Sequence, residues 1–233
     1  MNASGTGPSK SALLHPRRDD DGQAVLIRRP SMPTALEAWT DPTQTASVVP
    51  NGALPGAING VVLEPWNDPP TSPEGWAALA RESKVAEPEF KVPDGLEPAA
   101  GAVIVEPDGR VWMVCPTNQF GGYEVTFPKG RLDGKSLQAA ALVEAYEEAG
   151  LKVRLVRHLV DVPRSQTYTR YYLAERVGGS PAYMGWEAQC VMLVPAANFM
   201  SLNLSAPDRA VVAAMTATQA KGHQLEAVRG ARA

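Results

Sequence analysis

The sequence predicts an α/β fold, with a mixed sheet held between helical layers. Strand-like segments lie on both sides of one sharply delimited helix, residues 136–149, and a second helix opens at Ser205. At 233 residues, 44% hydrophobic and 20% charged, the chain can bury a full core, so one domain plus an extension is the natural division.

Residues 1–21 are polar and end in the charge run Arg17-Arg18-Asp19-Asp20-Asp21, which predicts a disordered tail. Residues 22–98 form a proline-rich extension: 14 of the 21 prolines precede Ala99, so long regular elements are not expected there. Short apolar pieces occur at Ala24 to Ile27, Ala46 to Val49 and Gly60 to Trp66. A short helix follows Ser72, with Pro73 in its first turn. Trp39, Trp66 and Trp76 mark the extension as packing on the main domain. Its functional alternative is an arm that selects substrate or joins two copies in a homodimer.

The main domain is expected over residues 99–220. Ala100 to Glu106 and Arg110 to Cys115 read as strands joined by the turn Pro107-Asp108-Gly109, and Tyr123 to Phe127 as a third strand. Beyond the helix, strands are expected at Val153 to Val160, Thr167 to Ala174 and Gln189 to Val194. The closing helix is capped from Ser205 across to Asp208 and presents Val211, Val212 and Met215. Residues 221–233 are a C-terminal tail.

A net charge of −3 gives no general attraction to nucleic acid or to an anionic membrane, so neither is an expected partner. There is no apolar run of membrane length and no signal-peptide core, which predicts a soluble, cytoplasmic protein. Cys115 and Cys190 fall in apolar strands as small buried hydrophobes. His15, His158 and His223 are too scattered to build a zinc site by spacing.

The central helix begins at Ser136, a good N-cap, and is closed by Gly150. Glu144, Glu147 and Glu148 lie at i, i+3 and i+4, on one face, and no Lys or Arg lies between Ser136 and Ala149. Each like-charge pair costs roughly 0.2–0.5 kcal/mol, and carboxylates in the last turn also face the negative end of the helix dipole. The same face continues through Leu137, Ala140 and Ala141, and the opposite one carries Leu142 and Tyr146, so neither is freely solvated. An acidic cluster on a helix packed on both sides calls for a cation. An all-oxygen donor set selects Mg2+ or Mn2+. The preceding loop, Pro128-Lys129-Gly130-Arg131, places Lys129 and Arg131 beside that cation, which suits a polyanion such as a pyrophosphate.

These residues resemble the Nudix box: Gly130, a short loop, then Glu144-Ala145-Tyr146-Glu147-Glu148-Ala149-Gly150-Leu151. The loop is one residue shorter than the family's. The family's mid-loop Glu and helix Arg, which pair to brace the loop, stand here as Lys135 and Val143. Losing both together leaves no unpaired buried charge and keeps all three carboxylates. The resemblance is direct over residues 130–151 and implies a Nudix-like α/β/α sandwich with a loop-helix-loop catalytic motif.

It also implies a metal set of Glu144, Glu147, Glu148 and the Gly130 carbonyl. Glu187, just before the last strand, matches a position where some family members place a further metal-binding or base carboxylate. Glu147 or Glu187 would take the proton. Lys129, Arg131, Arg164, Tyr168 and Arg170 are the substrate-binding candidates. Tyr168 lies 17 residues past Leu151, a mark of family members that cleave diadenosine polyphosphates. The expected function is thus Mg2+-dependent hydrolysis of a small-molecule phosphoanhydride, with diadenosine polyphosphates favoured over inositol pyrophosphates, ADP-ribose and nucleoside triphosphates. The alternatives are a non-catalytic nucleotide-binding regulator of the same fold and an acidic metal-binding scaffold whose functional surface is the N-terminal arm.

Overall fold

The structure is a computed structural model that describes residues 13–119 and 122–217. Most of the N-terminal tail, residues 1–12, and the C-terminal tail at 221–233 with His223 lie outside the described residues. In chain order the elements are β1 (Leu14–Arg18), β2 (Ala24–Leu26), α1 (Glu37–Thr40), β3 (Ala46–Val48), β4 (Ala57–Ile58), β5 (Val61–Val62) and α2 (Pro73–Glu82). Then come β6 (Glu97–Val105), β7 (Val111–Pro116), β8 (Lys129–Arg131), α3 (Leu137–Glu147), β9 (Leu151–Pro163), β10 (Thr167–Gly179), β11 (Ala188–Val194) and α4 (residues 206–217).

The expected mixed sheet is present. Among the described residues seven strands pair in the order β3-β11-β7-β6-β10-β9, with β8 added to β6. The β6–β10 pair is parallel and the others antiparallel. β10 takes one edge of β6 along its length, while β7 and β8 share the other: β7 pairs at Ile104 and Val105, β8 at Ala99 to Gly101. The two partners diverge from β6, and the site lies where they part. Leu142, Val143, Trp76 and Trp39 fill the core on the face carrying α2 and α3; Phe127, Tyr171, Phe199, Val211 and Met215 fill the other, under α4. Cys115 and Cys190 are buried opposite one another across β7 and β11. Among the described residues no helix is long and apolar enough to cross a membrane.

Some expectations need correction. Leu14–Arg18 falls inside the stretch expected to be disordered, yet it pairs with Ala24–Leu26. Its turn is closed by Asp19, whose carbonyl accepts from Gly22 N–H and whose Oδ1 accepts from Gln23 N–H at 2.6 Å, with Gly22 at φ +75°. Tyr123 to Phe127 is not a full strand; it forms an isolated bridge, Thr126 to Val114, and the ladder is resumed at β8. α3 is a helix of 11 residues, Leu137–Glu147, shorter than the 136–149 stretch expected.

Three buried arginines of the main domain hold the extension. Arg110 is paired with Asp108 at 2.8 Å and donates to the carbonyls of Ala38, Trp39 and Asp41. Arg170 is paired with Asp161 at 2.7 Å and with Glu87, and donates to the carbonyls of Pro88 and Glu89. Arg176 is paired with Glu106 and donates to the carbonyls of Ile58, Val61 and Val62. Glu106 also accepts from Trp112 Nε1 at 2.8 Å and Asn59 Nδ2 at 2.9 Å. Breaking a buried pair by removing one partner leaves an uncompensated charge. Arg176→Met should therefore lower unfolding free energy by about 3–5 kcal/mol in urea denaturation, and adding Glu106→Gln should recover part of that loss.

Candidate active site

α3 is held by its caps and by burial on all sides. Ser136 Oγ accepts from Ala139 N–H at 3.3 Å, and Gly150 adopts φ +67° just past the helix end. Every residue from Ala139 to Ala145 is buried, including Glu144. Val143, the departure from the family pattern, is 2% exposed in the apolar core.

At 3.6 residues per turn, Glu148 lies roughly 40° round the helix from Glu144 on one side and Glu147 roughly 60° on the other. The structure uses the first relation. Glu144 and Glu148 are buried, and with Glu187 each offers a carboxylate oxygen within 4.8 Å of the other two. Glu147, expected in the metal set, stands outside this triple; its side chain is exposed and lines the rim of the same cleft.

Gly130 faces Glu144 so closely that a Cβ there would stand 2.1 Å from Oε1. Only glycine lets β8 approach the carboxylate in this way. Lys129 N–H donates to Glu148 Oε2 at 3.0 Å, fixing the second carboxylate to the same strand. Glu187 comes from a loop that is tied at both ends. Gly185 N–H donates to the Glu147 carbonyl at 2.6 Å, and Thr117 donates to the Glu187 carbonyl through N at 2.8 Å and Oγ1 at 3.1 Å.

Burial, then the neighbouring carboxylates, drives the Glu144 pKa well above the ordinary range. Burial pushes Glu148 up to about 7 against the opposing charge of Lys129. Glu147 and Glu187 keep part of their surface in solvent, and the desolvation of the part turned into the cleft raises them as well. Lys135 lies near enough to Glu147 to oppose its shift. Burial thus disfavours the charged form of each of the four carboxylates.

The cleft around them is about 780 Å3. Of the five substrate-binding candidates, Lys129, Arg131 and Arg164 line it. Arg131 is also paired with Glu97, and Arg164 with Asp208 at 2.8 Å. Tyr168 and Arg170 do not line it. Side chains alternate across a strand, so on β10 Thr167 and Thr169 face the cleft while Tyr168 and Arg170 point through the sheet. There Tyr168 stacks on Phe90 with centroids 5.3 Å apart, and Arg170 is 1% exposed in its ion pairs with Asp161 and Glu87.

Asp20, Trp186 and Asp208 line the cleft without a signal of function in the sequence. Asp208 was legible only as a helix cap: it accepts from Ser205 Oγ at 2.6 Å and holds Arg164. Trp186 is betrayed only by its place beside Glu187, and Asp20 lay in the charge run read as a disordered tail.

The family model for the NUDIX domain matches residues 95–213. Two curated proteins, both RNA pyrophosphohydrolases of Caulobacter vibrioides, from strains NA1000 / CB15N and ATCC 19089 / CIP 103742 / CB 15, are each 33% identical over 94 residues, 40% of this chain and 52% of theirs. The chain spans about half the length of the curated relatives it matches. Among solved structures, a C. elegans Ap4A hydrolase binary complex aligns at TM-score 0.45 and 20% identity, over 53% of this chain and 98% of that one. A NUDIX hydrolase from Nitrosomonas europaea aligns at 0.47 and 13%, over 53% and 90%. The match of the family model across more than half the chain, over the segment that holds Gly130, Glu144, Glu148 and Glu187, places this protein in the NUDIX domain family.

Proposed function

We propose that the chain is a divalent-cation-dependent pyrophosphohydrolase that adds water across a phosphoanhydride in a nucleoside-linked substrate. The observation that carries this reading is the convergence of Glu144, Glu148 and Glu187 in a cleft that also presents Lys129 and Arg131. Three carboxylates without an imidazole or thiolate are a hard donor set, and two of them are buried at a cost that a cation offsets; they fit Mg2+ or Mn2+.

Glu144, Glu148 and Glu187 would hold that ion, and Glu147 and the Gly130 carbonyl are the further donors that the family resemblance implies. Once bound, it supplies positive charge that polarises the phosphorus centre and neutralises the leaving phosphate. The remaining work falls to the chain. Lys129 and Arg131 hold the non-reacting phosphates, and Arg164, fixed by Asp208, lines the same cleft. Glu147, exposed on the rim, or Glu187 accepts the proton of the attacking water.

The expectation of diadenosine polyphosphates rested on Tyr168, whose ring lies on the other face of the sheet. The substrate panel is therefore kept broad: diadenosine polyphosphates, ADP-ribose, nucleoside triphosphates, an inositol pyrophosphate and, because the curated relatives are RNA pyrophosphohydrolases, an RNA carrying a phosphoanhydride. A non-catalytic nucleotide-binding module was suggested by the shortened loop and Val143. That loop still brings Gly130 against Glu144, and Val143 sits in apolar surroundings, which supports catalysis.

With purified protein and Mg2+ or Mn2+, one class of the panel should be hydrolysed, with products resolved by ion-exchange chromatography. Glu148→Gln should reduce kcat about a hundredfold or more while circular dichroism stays native. Cation-independent turnover, or turnover that survives the substitution, would refute the assignment.

A second expectation concerns stability. A carboxylate whose folded pKa is raised contributes stability below its unfolded pKa, about 4.5, and loses it as pH climbs through the folded value, about 7 for Glu148. His15, whose pKa burial lowers, acts in the opposite sense in part of that range, so the comparison is made between wild type and Glu148→Gln, where its contribution cancels. In EDTA, Glu148→Gln should match wild type at pH 5 and melt about 5 °C higher at pH 8. Saturating Mg2+ at pH 8 should reverse the order, since it stabilises only the form that binds it.

A further inference from the structure

We infer that the N-terminal hairpin, β1 and β2, is a clamp that positions Glu187, with Asp20 and Trp186 as its working pair. The hairpin precedes the matched NUDIX segment. Its contacts nevertheless fall on the stretch of the domain that carries Glu187.

Trp186 Nε1 donates to Asp20 Oδ1 at 3.2 Å. The Arg17 guanidinium lies over the Tyr183 ring, 3.8 Å from its centroid. Just past the hairpin, Gln189 is gripped from both sides: its Oε1 accepts from Ser31 N–H at 2.8 Å, and its Nε2 donates to the Arg29 carbonyl at 3.0 Å. The grip therefore runs from Tyr183 to Gln189, with Glu187 inside it.

Glu187 needs such help. It is an exposed loop residue, and it has to meet Glu144 and Glu148 against charge repulsion. The ties from Gly185 and Thr117 reach only main-chain atoms of this loop. The bond to Asp20 is different because it holds a side chain, that of Trp186, beside Glu187 at the cleft. Asp20 is presented on a turn closed by the carbonyl and carboxylate of Asp19. It is a positioning residue, acting on Glu187 through Trp186.

The catalytic consequence rests on the hydrolase reading above, but the clamp can be tested without it. Hydrogen exchange would follow peptides spanning residues 183–189 in wild type, Asp20→Ala, Asp20→Asn and Trp186→Phe. An asparagine keeps the acceptor oxygen, and a phenylalanine keeps the ring while losing the donor. Exchange should rise about tenfold in Asp20→Ala and Trp186→Phe and stay near wild type in Asp20→Asn. On the substrate that wild type hydrolyses, Asp20→Ala should lower kcat about tenfold with KM within twofold, and Asp20→Asn should restore it.

Unchanged exchange in Asp20→Ala, or exchange as fast in Asp20→Asn as in Asp20→Ala, overturns the clamp. So does a loss in Asp20→Ala that appears in KM alone, which would make Asp20 a substrate contact. If wild type hydrolyses nothing while exchange follows the expected pattern, the hydrolase reading falls and the clamp stands.

Discussion

Holding like charges together is the constraint on which the rest of this structure depends. Glu144, Glu148 and Glu187 must stay within 4.8 Å of one another in a partly dehydrated cleft, where the repulsion between them is least screened. No single element achieves this. α3 supplies two of the carboxylates and is packed on all sides, so it cannot rotate to relieve them. β8 presses a glycine against one and a backbone N–H against the other. The loop before β11 brings the third, under main-chain ties from the end of α3 and from Thr117, just past β7.

The split of the sheet follows from the same requirement. β8 reaches Glu144 and Glu148 because it pairs with the first half of β6 and leaves the second half to β7. The gap between them becomes the cleft, and the basic side chains of Lys129 and Arg131 reach it from the strand that also touches the acids. Attraction for a polyanion and tolerance of a cation are thus built from one short segment.

Much of this was legible in the sequence where the signals are local. Ser136 and Gly150 bound α3, and the spacing of Glu144 and Glu148 follows from helix geometry. The strands that became β6, β7, β9, β10 and β11 are written as apolar runs, although β9 and β10 run further than their apolar parts. What could not be read depends on partners distant in the chain. Glu187 joins the triple and Glu147 does not because a loop some forty residues later closes on one side of the helix. Tyr168 and Arg170 looked like ligand contacts until the extension supplied Phe90 and Glu87 on the far face of β10. The hairpin read as disorder because its polar composition conceals a turn tied by Asp19 and partners near residues 183–189.

The arginines that hold the extension read its main chain. Arg110, Arg170 and Arg176 are each neutralised first by an acid of their own domain, Asp108, Asp161 and Glu106, and their spare N–H groups then find carbonyl oxygens of the extension. A carbonyl is the same at every residue, so this docking is largely indifferent to side-chain identity. Where the extension is held only through its carbonyls it can drift in sequence while keeping its path; side chains are fixed at the tryptophans, Asn59, Glu87, Phe90 and the buried apolar positions such as Val48 and Ile58. In related chains, its presence would be betrayed by three conserved arginine–acid pairs in the domain long after the extension itself had ceased to be recognisable.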